Sequence, residues 1–485
     1  MKNLIIITAD EMRADCLGYA GNPDVKTPNI DAFASKGVVF RNHFCVHGKC
    51  VPSRASMMTG RYSHTDGFRT ISQHVPENQP NVLNSLKAAG YETAVFGHNH
   101  VWENFYGDNT KSSGVVDYHS YTKDYFDYFI KNKVDVPPEN PELKRIQMPE
   151  GYDYYGQLTE PITGFSDYNR TAQALHYLSE VRDTSKPFFM QLDFGFPHPD
   201  YKVEEPFFSM YDRNAISVWT YELPNNAPSY MEKLRTVRIG EVPSEEFLRE
   251  IQAVYYGMIT RTDMLIGQLL QKIEAQGLLE NTVVLFTSDH GEFAGQYGLV
   301  EKWDTCMLDC IMRVPLILYA PELPHGTDVE SLSEHVDIAP TILDLLDLPA
   351  NWGMHGGTLV SLVNGETQKR AVFADGGHED EMVSRISVDQ FNSRYITSKQ
   401  LAYIDNPASM KRVKMVRTKD WKLIVRADGE HELYHVKFDP EELQNLYNDN
   451  SLENRIEIIL DLQHKLIEWC MKTDTDRPYQ HEVLA

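Results

Sequence analysis

The residues most able to do chemistry lie in one segment, Cys50-Val51-Pro52-Ser53-Arg54-Ala55-Ser56-Met57-Met58-Thr59-Gly60-Arg61. Pro52 suits the first turn of a helix and Gly60 suits its end, which puts Cys50 at a helix N-terminus. Unpaired backbone N–H groups and the positive end of the helix dipole favour an anion there. Arg54 falls about one turn later on the same face and adds a fixed positive charge. A thiol in such a setting is reactive. Most single cysteines are instead buried and inert, so the segment gains meaning only with partners.

Two acidic pairs offer them. Thr8-Ala9-Asp10-Glu11 follows one apolar run, and Thr287-Ser288-Asp289-His290-Gly291-Glu292 follows another. Ligands of open α/β sheets bind beyond the carboxyl ends of the strands. Carboxylates that meet there from distant segments can share a hard cation. One such pair alone reads as a helix cap or a loop acid; two of them after buried strands favour a metal.

The elements that must carry these groups alternate. Residues 4–7 are consecutive apolar, β-branched residues, the mark of a strand buried on both faces. Thr27 as cap and Pro28 at the first position predict a helix over 28–34, ended by Gly37. A helix over 81–89 ends at Gly90 and leads to a strand over 92–96. Further along come a helix over 172–181, a strand over 188–192, a long amphipathic helix over 245–275 and strands over 282–287 and 314–319. This alternation predicts an α/β fold with a large, mostly parallel mixed sheet flanked by helices. After Asn364-Gly365-Glu366 the pattern changes to close-set strands over 413–417, 421–426 and 432–435, with Asp428-Gly429 as a hairpin signal. A helix over 453–471 follows. The expected division is a catalytic domain over 1–365 and a smaller α+β part over 366–485, with an antiparallel sheet and a helix. The stretch 117–168 is rich in Tyr, Asp and Pro and reads as a long insertion.

Bulk properties narrow the partners. The chain has 485 residues, 42% of them hydrophobic, enough for a large core, and a formal net charge of −24. Such a surface repels nucleic acid and anionic membranes. An anionic substrate therefore needs a locally positive pocket. Six cysteines are too few for a disulfide scaffold at this length. No apolar stretch is long enough to span a bilayer, and the run at residues 4–7 is too short for a signal peptide. The chain reads as cytoplasmic, or as one whose leader has been trimmed. Oligomeric state is not legible.

With these motifs in order, the sequence resembles the sulfatases of the alkaline phosphatase superfamily. The family pattern is Cys-x-Pro-Ser-Arg followed by Thr-Gly-Arg, matched by residues 50–54 and 59–61. Asp10-Glu11 resembles the acidic pair after the first strand. Gly97-His98-Asn99-His100 resembles a Gly-Lys-x-His segment, and Phe196-Pro197-His198 a Pro-His segment. Ser288-Asp289-His290-Gly291-Glu292 precedes Lys302 and Arg313-Val314-Pro315-Leu316, as in the family. Leu433-Tyr434 and the run from Asp439 to Leu446 resemble its closing small domain. The resemblance spans nearly the whole chain and implies an alkaline phosphatase-like fold.

The resemblance also implies a mechanism. Cys50 would be oxidised to formylglycine by a formylglycine-generating maturation enzyme, and the hydrated aldehyde would attack the sulfur of a small anionic ester. Its second hydroxyl would then expel sulfate, a covalent route that splits one hard step into two. Asp10, Glu11, Asp289, His290 and the modified Cys50 would hold Ca²⁺, or another divalent cation such as Mg²⁺ or Mn²⁺. Arg54 would steady the charge on the attacking hydroxyl. His100 would deprotonate the second hydroxyl. His98, His100, His198 and Lys302 would contact the ester, His198 or Lys302 protonating the leaving alcohol.

Three residues depart from the pattern: Glu11 where Asp is frequent, His290 where many members carry Asn, and His98 where many carry Lys. An imidazole is only partly charged at neutral pH. Loss of that lysine leaves open a formylglycine-dependent phosphonate monoester or phosphodiester hydrolase, which shares the Cys-x-Pro-x-Arg and Asp-His-Gly segments. Retention of His100 and Pro197-His198 favours the sulfate ester. A binding protein on an inactive hydrolase fold is disfavoured by the complete set of reactive groups, and a two-zinc phosphatase by the shortage of ligands. The alcohol, whether sugar or aryl, depends on the insertion near 118–168 and on the small domain. His47 and Asp66, close to Cys50 in sequence, are further candidates.

Overall fold

The computed structural model describes residues 1–71, 73–76, 78–97, 99–102, 154–158, 166–239, 244–379 and 398–474. The strands are β1 (Asn3–Asp10), β2 (Val38–Phe44), β3 (Glu92–Gly97), β4 (Tyr154–Gln157), β5 (Phe188–Pro197), β6 (Tyr201–Val203), β7 (Thr282–Ser288), β8 (Leu316–Tyr319), β9 (Thr327–Glu334), β10 (Ala371–Gly376), β11 (Val413–Thr418), β12 (Lys422–Arg426) and β13 (Glu432–Tyr434). Seven form the main sheet in the order β3-β5-β1-β7-β8-β2-β9. β3, β5, β1 and β7 run parallel, and β8 is antiparallel to both its neighbours. The expected α/β architecture with a mostly parallel mixed sheet is what forms.

β1 sits near the middle, and Leu4, Ile5, Ile6 and Ile7 are fully buried. Ile5 and Ile7 join the apolar cluster on one face, while Leu4 and Ile6 join that on the other. A strand covered by helices on both sides needs no polar alternation, which explains its sequence. The helices that matter here are α1 (Pro28–Ala34), α2 (Cys50–Thr59), α3 (Val82–Ala88), α4 (Ser166–His176), α5 (Glu245–Ala275) and α6 (Arg455–Thr473). α5 has the expected ends, and the Ser244 hydroxyl caps it by accepting from the Phe247 N–H. Asn81 caps α3 in the same way. Thr27 precedes α1 but does not cap it with its side chain. Its hydroxyl lies 3.0 Å from Asp31 Oδ1 instead.

Several expectations need correction. α4 begins at Ser166, not 172, and passes into a π turn over Tyr177–Val181. β5 continues through Pro197, past the expected end at 192. The buried acid Asp193, which interrupts the apolar run there, is paired by Arg54 from a distant part of the sequence. β2, β9 and β10 were not expected: Arg41-Asn42-His43 interrupts β2, and β9 is a partly exposed edge strand. The 117–168 insertion lies largely outside the described residues, as does His98.

The small sheet is antiparallel, in the order β10-β11-β12-β13. Leu462, Leu466 and Trp469 of α6 pack on Val416, Leu423 and Leu433. Val372, Met415, Ile424 and Tyr434 share a core with Trp303, Cys306 and Met307. The small sheet is thereby fastened to the segment that carries Lys302. No helix among the described residues is long and apolar enough to cross a membrane.

Candidate active site

The carboxyl ends of the parallel strands converge. Asp10 ends β1 opposite Pro197 of β5, Ala9 lies opposite Ser288 of β7, and Gly97 of β3 lies opposite Asp193. The site therefore takes acids from β1 and β7 and His198 from beyond β5; half-buried His100 follows the end of β3 by three residues.

Cys50 starts α2, preceded by Lys49 in extended conformation, and Gly60 ends the helix at φ 69°. All ten residues of α2 are buried. The Ser53 hydroxyl donates to the Asp289 carbonyl at 2.6 Å, tying the helix to the end of β7. Cys50 Sγ lies 3.2 Å from His290 Nε2 and 3.7 Å from Asp10 Oδ1.

Arg54 does more than add one positive charge beside Cys50. Its Nε donates to Asp289 at 2.8 Å, and its two terminal nitrogens donate to Asp193 and Asp10 at 3.1 Å each. Burial opposes the charge on Asp10, yet Arg54, His198, Lys302 and His290 together hold its carboxyl well below the usual range. Asp193 shows the opposite balance. Burial pushes it up to about 6, against the pull of Arg54. Asp193 was missed in the sequence, where its one signal was a lone acid inside an apolar strand.

Asp10, Cys50, Asp289 and His290 are all buried, each with a ligand atom within 4.8 Å of the others. Two features suit a divalent cation. Three carboxylates share one guanidinium, leaving the group short of positive charge. His290 Nδ1 lies 3.0 Å from the Gly291 carbonyl. With its proton there, Nε2 presents a lone pair towards Cys50, the tautomer of a metal ligand.

Glu11 stands apart from this quartet. It has φ 62°, and its N–H donates to Asp289 Oδ1 at 3.1 Å. Its carboxylate pairs with Lys302 and lies 3.1 Å from His198 Nε2. Lys302 Nζ is 3.2 Å from the same nitrogen. Glu11 Oε2 is buried without a hydrogen bond among the described residues. Asp10, Glu11 and His198 form a second possible ligand group. Asp66 pairs with Arg61.

His47 lies elsewhere, in a polar cluster with Lys49, Asp304, Asp375 and His378. Burial pushes both His47 and His378 down from 6.5 to about 4, with Lys49 adding to the fall and the nearby carboxylates opposing it. Both are neutral at pH 7. On acidification the unfolded chain takes up these protons as the pH passes 6.5, whereas the folded chain waits until about 4. Their contribution to stability is complete above pH 6.5 and is lost between 6.5 and 4. Thermal unfolding followed from pH 7 to 4.5 should show a falling midpoint, with a shallower fall in His378→Asn. An identical slope in that variant would contradict the assignment.

The sulfatase family model matches residues 2–348. An arylsulfatase from Clostridium perfringens is 26% identical over 494 residues, covering 96% of this chain and 94% of that protein. An ulvan-active sulfatase from Formosa agariphila is 29% identical over 421 residues, covering 84% of this chain and 75% of that protein. The crystal structure of a phosphonate monoester hydrolase from Agrobacterium radiobacter aligns with a TM-score of 0.71 at 23% identity, covering 98% of this chain and 96% of that one. At that identity the last likeness speaks for the fold. With two acidic strand ends and Cys50 gathered around one buried point, the chain belongs to the sulfatase family of sulfuric ester hydrolases.

Proposed function

We propose that this protein hydrolyses a sulfate monoester of a sugar or aryl alcohol, using a formylglycine made from Cys50 by a maturation enzyme, and a divalent cation, Ca²⁺ foremost. The observation that carries this reading is the buried meeting of Asp10, Cys50, Asp289 and His290. Asp10, Asp289, His290 and residue 50 would hold the cation, which with the hydrated aldehyde supplies positive charge at the sulfate oxygens and a nucleophilic hydroxyl.

The chain's own residues do the remaining work. Arg54 holds Asp10, Asp193 and Asp289 in one arrangement and keeps positive charge next to residue 50. Lys302 reaches a sulfate oxygen. His198, with a side chain 36% exposed, faces the open side and gives a proton to the leaving alcohol. Glu11 steadies both through its carboxylate, acting through them rather than in the quartet. His100 takes the proton from residue 50 when sulfate leaves, and His98 contacts the ester.

Turnover of 4-nitrophenyl sulfate against an aryl phosphonate monoester tests the choice of ester. The sulfate should win by about tenfold or more in kcat/KM. A preference for the phosphonate would give the site to that chemistry, which the histidine at position 98 keeps in view. Removal of divalent cations with EDTA should abolish turnover and lower the unfolding midpoint, and Ca²⁺ should restore both. A midpoint indifferent to Ca²⁺, Mg²⁺ and Mn²⁺ alike would remove the cation from the account.

A further inference from the structure

α6 carries more apolar surface than the small sheet covers. Leu462, Leu466 and Trp469 face that sheet and are buried. Ile456, Leu460, Ile467 and Met471 are 64, 58, 58 and 77% exposed. With 3.6 residues per turn these four fall within about 60° of one another around the helix, and they form one stripe roughly 22 Å long. Half-buried Ile459 and Cys470 join it to the face that packs on the sheet. Eight large hydrophobic side chains are exposed among the described residues, and four of them sit on this helix. Single exposed apolar residues need no explanation, whereas a contiguous patch marks a contact surface.

We propose that two copies of the chain pair through this stripe, with their α6 helices antiparallel about a two-fold axis near Gln463 and His464. A two-fold contact requires a self-complementary surface, and the stripe is one. Ile456 and Leu460 are four residues apart, as are Ile467 and Met471. Reversing one copy sets its Ile456 against Met471 of the other, and its Leu460 against Ile467. The same reversal brings Glu457 and Asp461, in the first turns of one helix, alongside Lys472 and Lys465 in the last turns of the other. Within one copy Lys465 pairs with Asp461 at 2.6 Å and Lys472 with Glu468 at 3.6 Å. Such exposed pairs are worth little and give way readily. Parallel pairing would set each charge beside its own copy, where like charges repel, and would align the two helix dipoles.

The contact is of a size to hold a weak dimer. Along that length two helices and their flanking side chains bury on the order of 1,000 Å² in total, the lower bound of a specific interface. The dissociation constant should therefore be about micromolar. A membrane surface fits the stripe less well. Helices that lie on anionic membranes carry Lys and Arg along the polar face. Here that face mixes Glu457, Asp461 and Glu468 with two lysines, on a chain of net charge −24.

Sedimentation of the full chain from about 1 to 100 µM should show a monomer–dimer equilibrium. The double variant Leu460→Glu, Ile467→Glu puts two charges from each copy into the apolar contact. It should raise the dissociation constant by roughly 100-fold or more. Both side chains are exposed, so its unfolding midpoint at low concentration should match the parent's. A cross-link reads the geometry separately, in a Cys470→Ser background. His464→Cys lies next to the axis, meets its own copy and should give a disulfide-linked dimer under mild copper-catalysed oxidation by oxygen. Glu457→Cys should not, because antiparallel pairing carries it beyond disulfide reach of its copy. A monomer at every concentration would overturn the proposal, whether the stripe is bare, covered by residues 475–485, or taken up by phosphatidylglycerol vesicles that the double variant does not bind. A dimer that the double variant leaves intact, that fails to cross-link through His464→Cys, or that cross-links through Glu457→Cys would overturn it as well.

Discussion

Cys50→Ala should lower sulfate-ester turnover by on the order of 10⁴-fold or more. Cys50 Sγ lies within 4.8 Å of a ligand atom of each of Asp10, Asp289 and His290, the place where a nucleophile next to the cation would act. Water could attack in its place, but without the covalent route the two steps merge into one harder step. Cys50→Ser gives a sharper result. Its hydroxyl can accept the sulfuryl group but has no second hydroxyl to expel it, so the variant should release one equivalent of alcohol and stop. Initial rates with 4-nitrophenyl sulfate at saturating Ca²⁺ read both outcomes. Activity of Cys50→Ala within tenfold of the parent enzyme would remove Cys50 from the nucleophile's role.

Arg54→Leu should have the largest effect on stability, about 3–5 kcal/mol of destabilisation. The guanidinium sits among Asp10, Asp193 and Asp289, with side chains no more than 2% exposed. Leucine leaves three buried carboxylates facing one another without the guanidinium that bonds to all three. Arg54→Lys should recover little, because one ammonium cannot span three carboxylates in the fixed geometry of a guanidinium. Denaturant unfolding in the presence of EDTA isolates this effect from that of a bound cation. A loss below about 1 kcal/mol, the scale of a surface pair, would mean that Arg54 is not the hub of the site.

Much of this arrangement was legible from residue type. β1 could be read because burial on both faces leaves only apolar residues, and α5 because its cap and its periodicity agree. Cys50 and Arg54 lie one helical turn apart, as Pro52 and Gly60 implied. The two acidic strand ends meet because β1 and β7 are parallel neighbours. What stayed hidden depends on partners distant in sequence. Asp193 ends an apolar run in the sequence, yet in the fold it extends β5, because Arg54 pairs with it. Arg41-Asn42-His43 masked β2 in a similar way: His43 Nδ1 lies 2.9 Å from the Ser333 hydroxyl and Nε2 3.0 Å from His335. Glu11 was expected to join Asp10 as a ligand; its carboxylate lies with Lys302 and His198, in a second possible ligand group that includes Asp10. His47 was noticed for its nearness to Cys50, whereas its companions Asp304, Asp375 and His378 come from three later segments.

The proposed chemistry turns on the chemical state of residue 50. Trypsin should release it in the peptide from Cys50 to Arg54, bounded by Lys49 and Arg54. Mass spectrometry of that peptide, from protein made in a host with the maturation enzyme, should show the mass of the aldehyde or its hydrate in place of the thiol. An unmodified thiol in protein that turns over sulfate esters would contradict it.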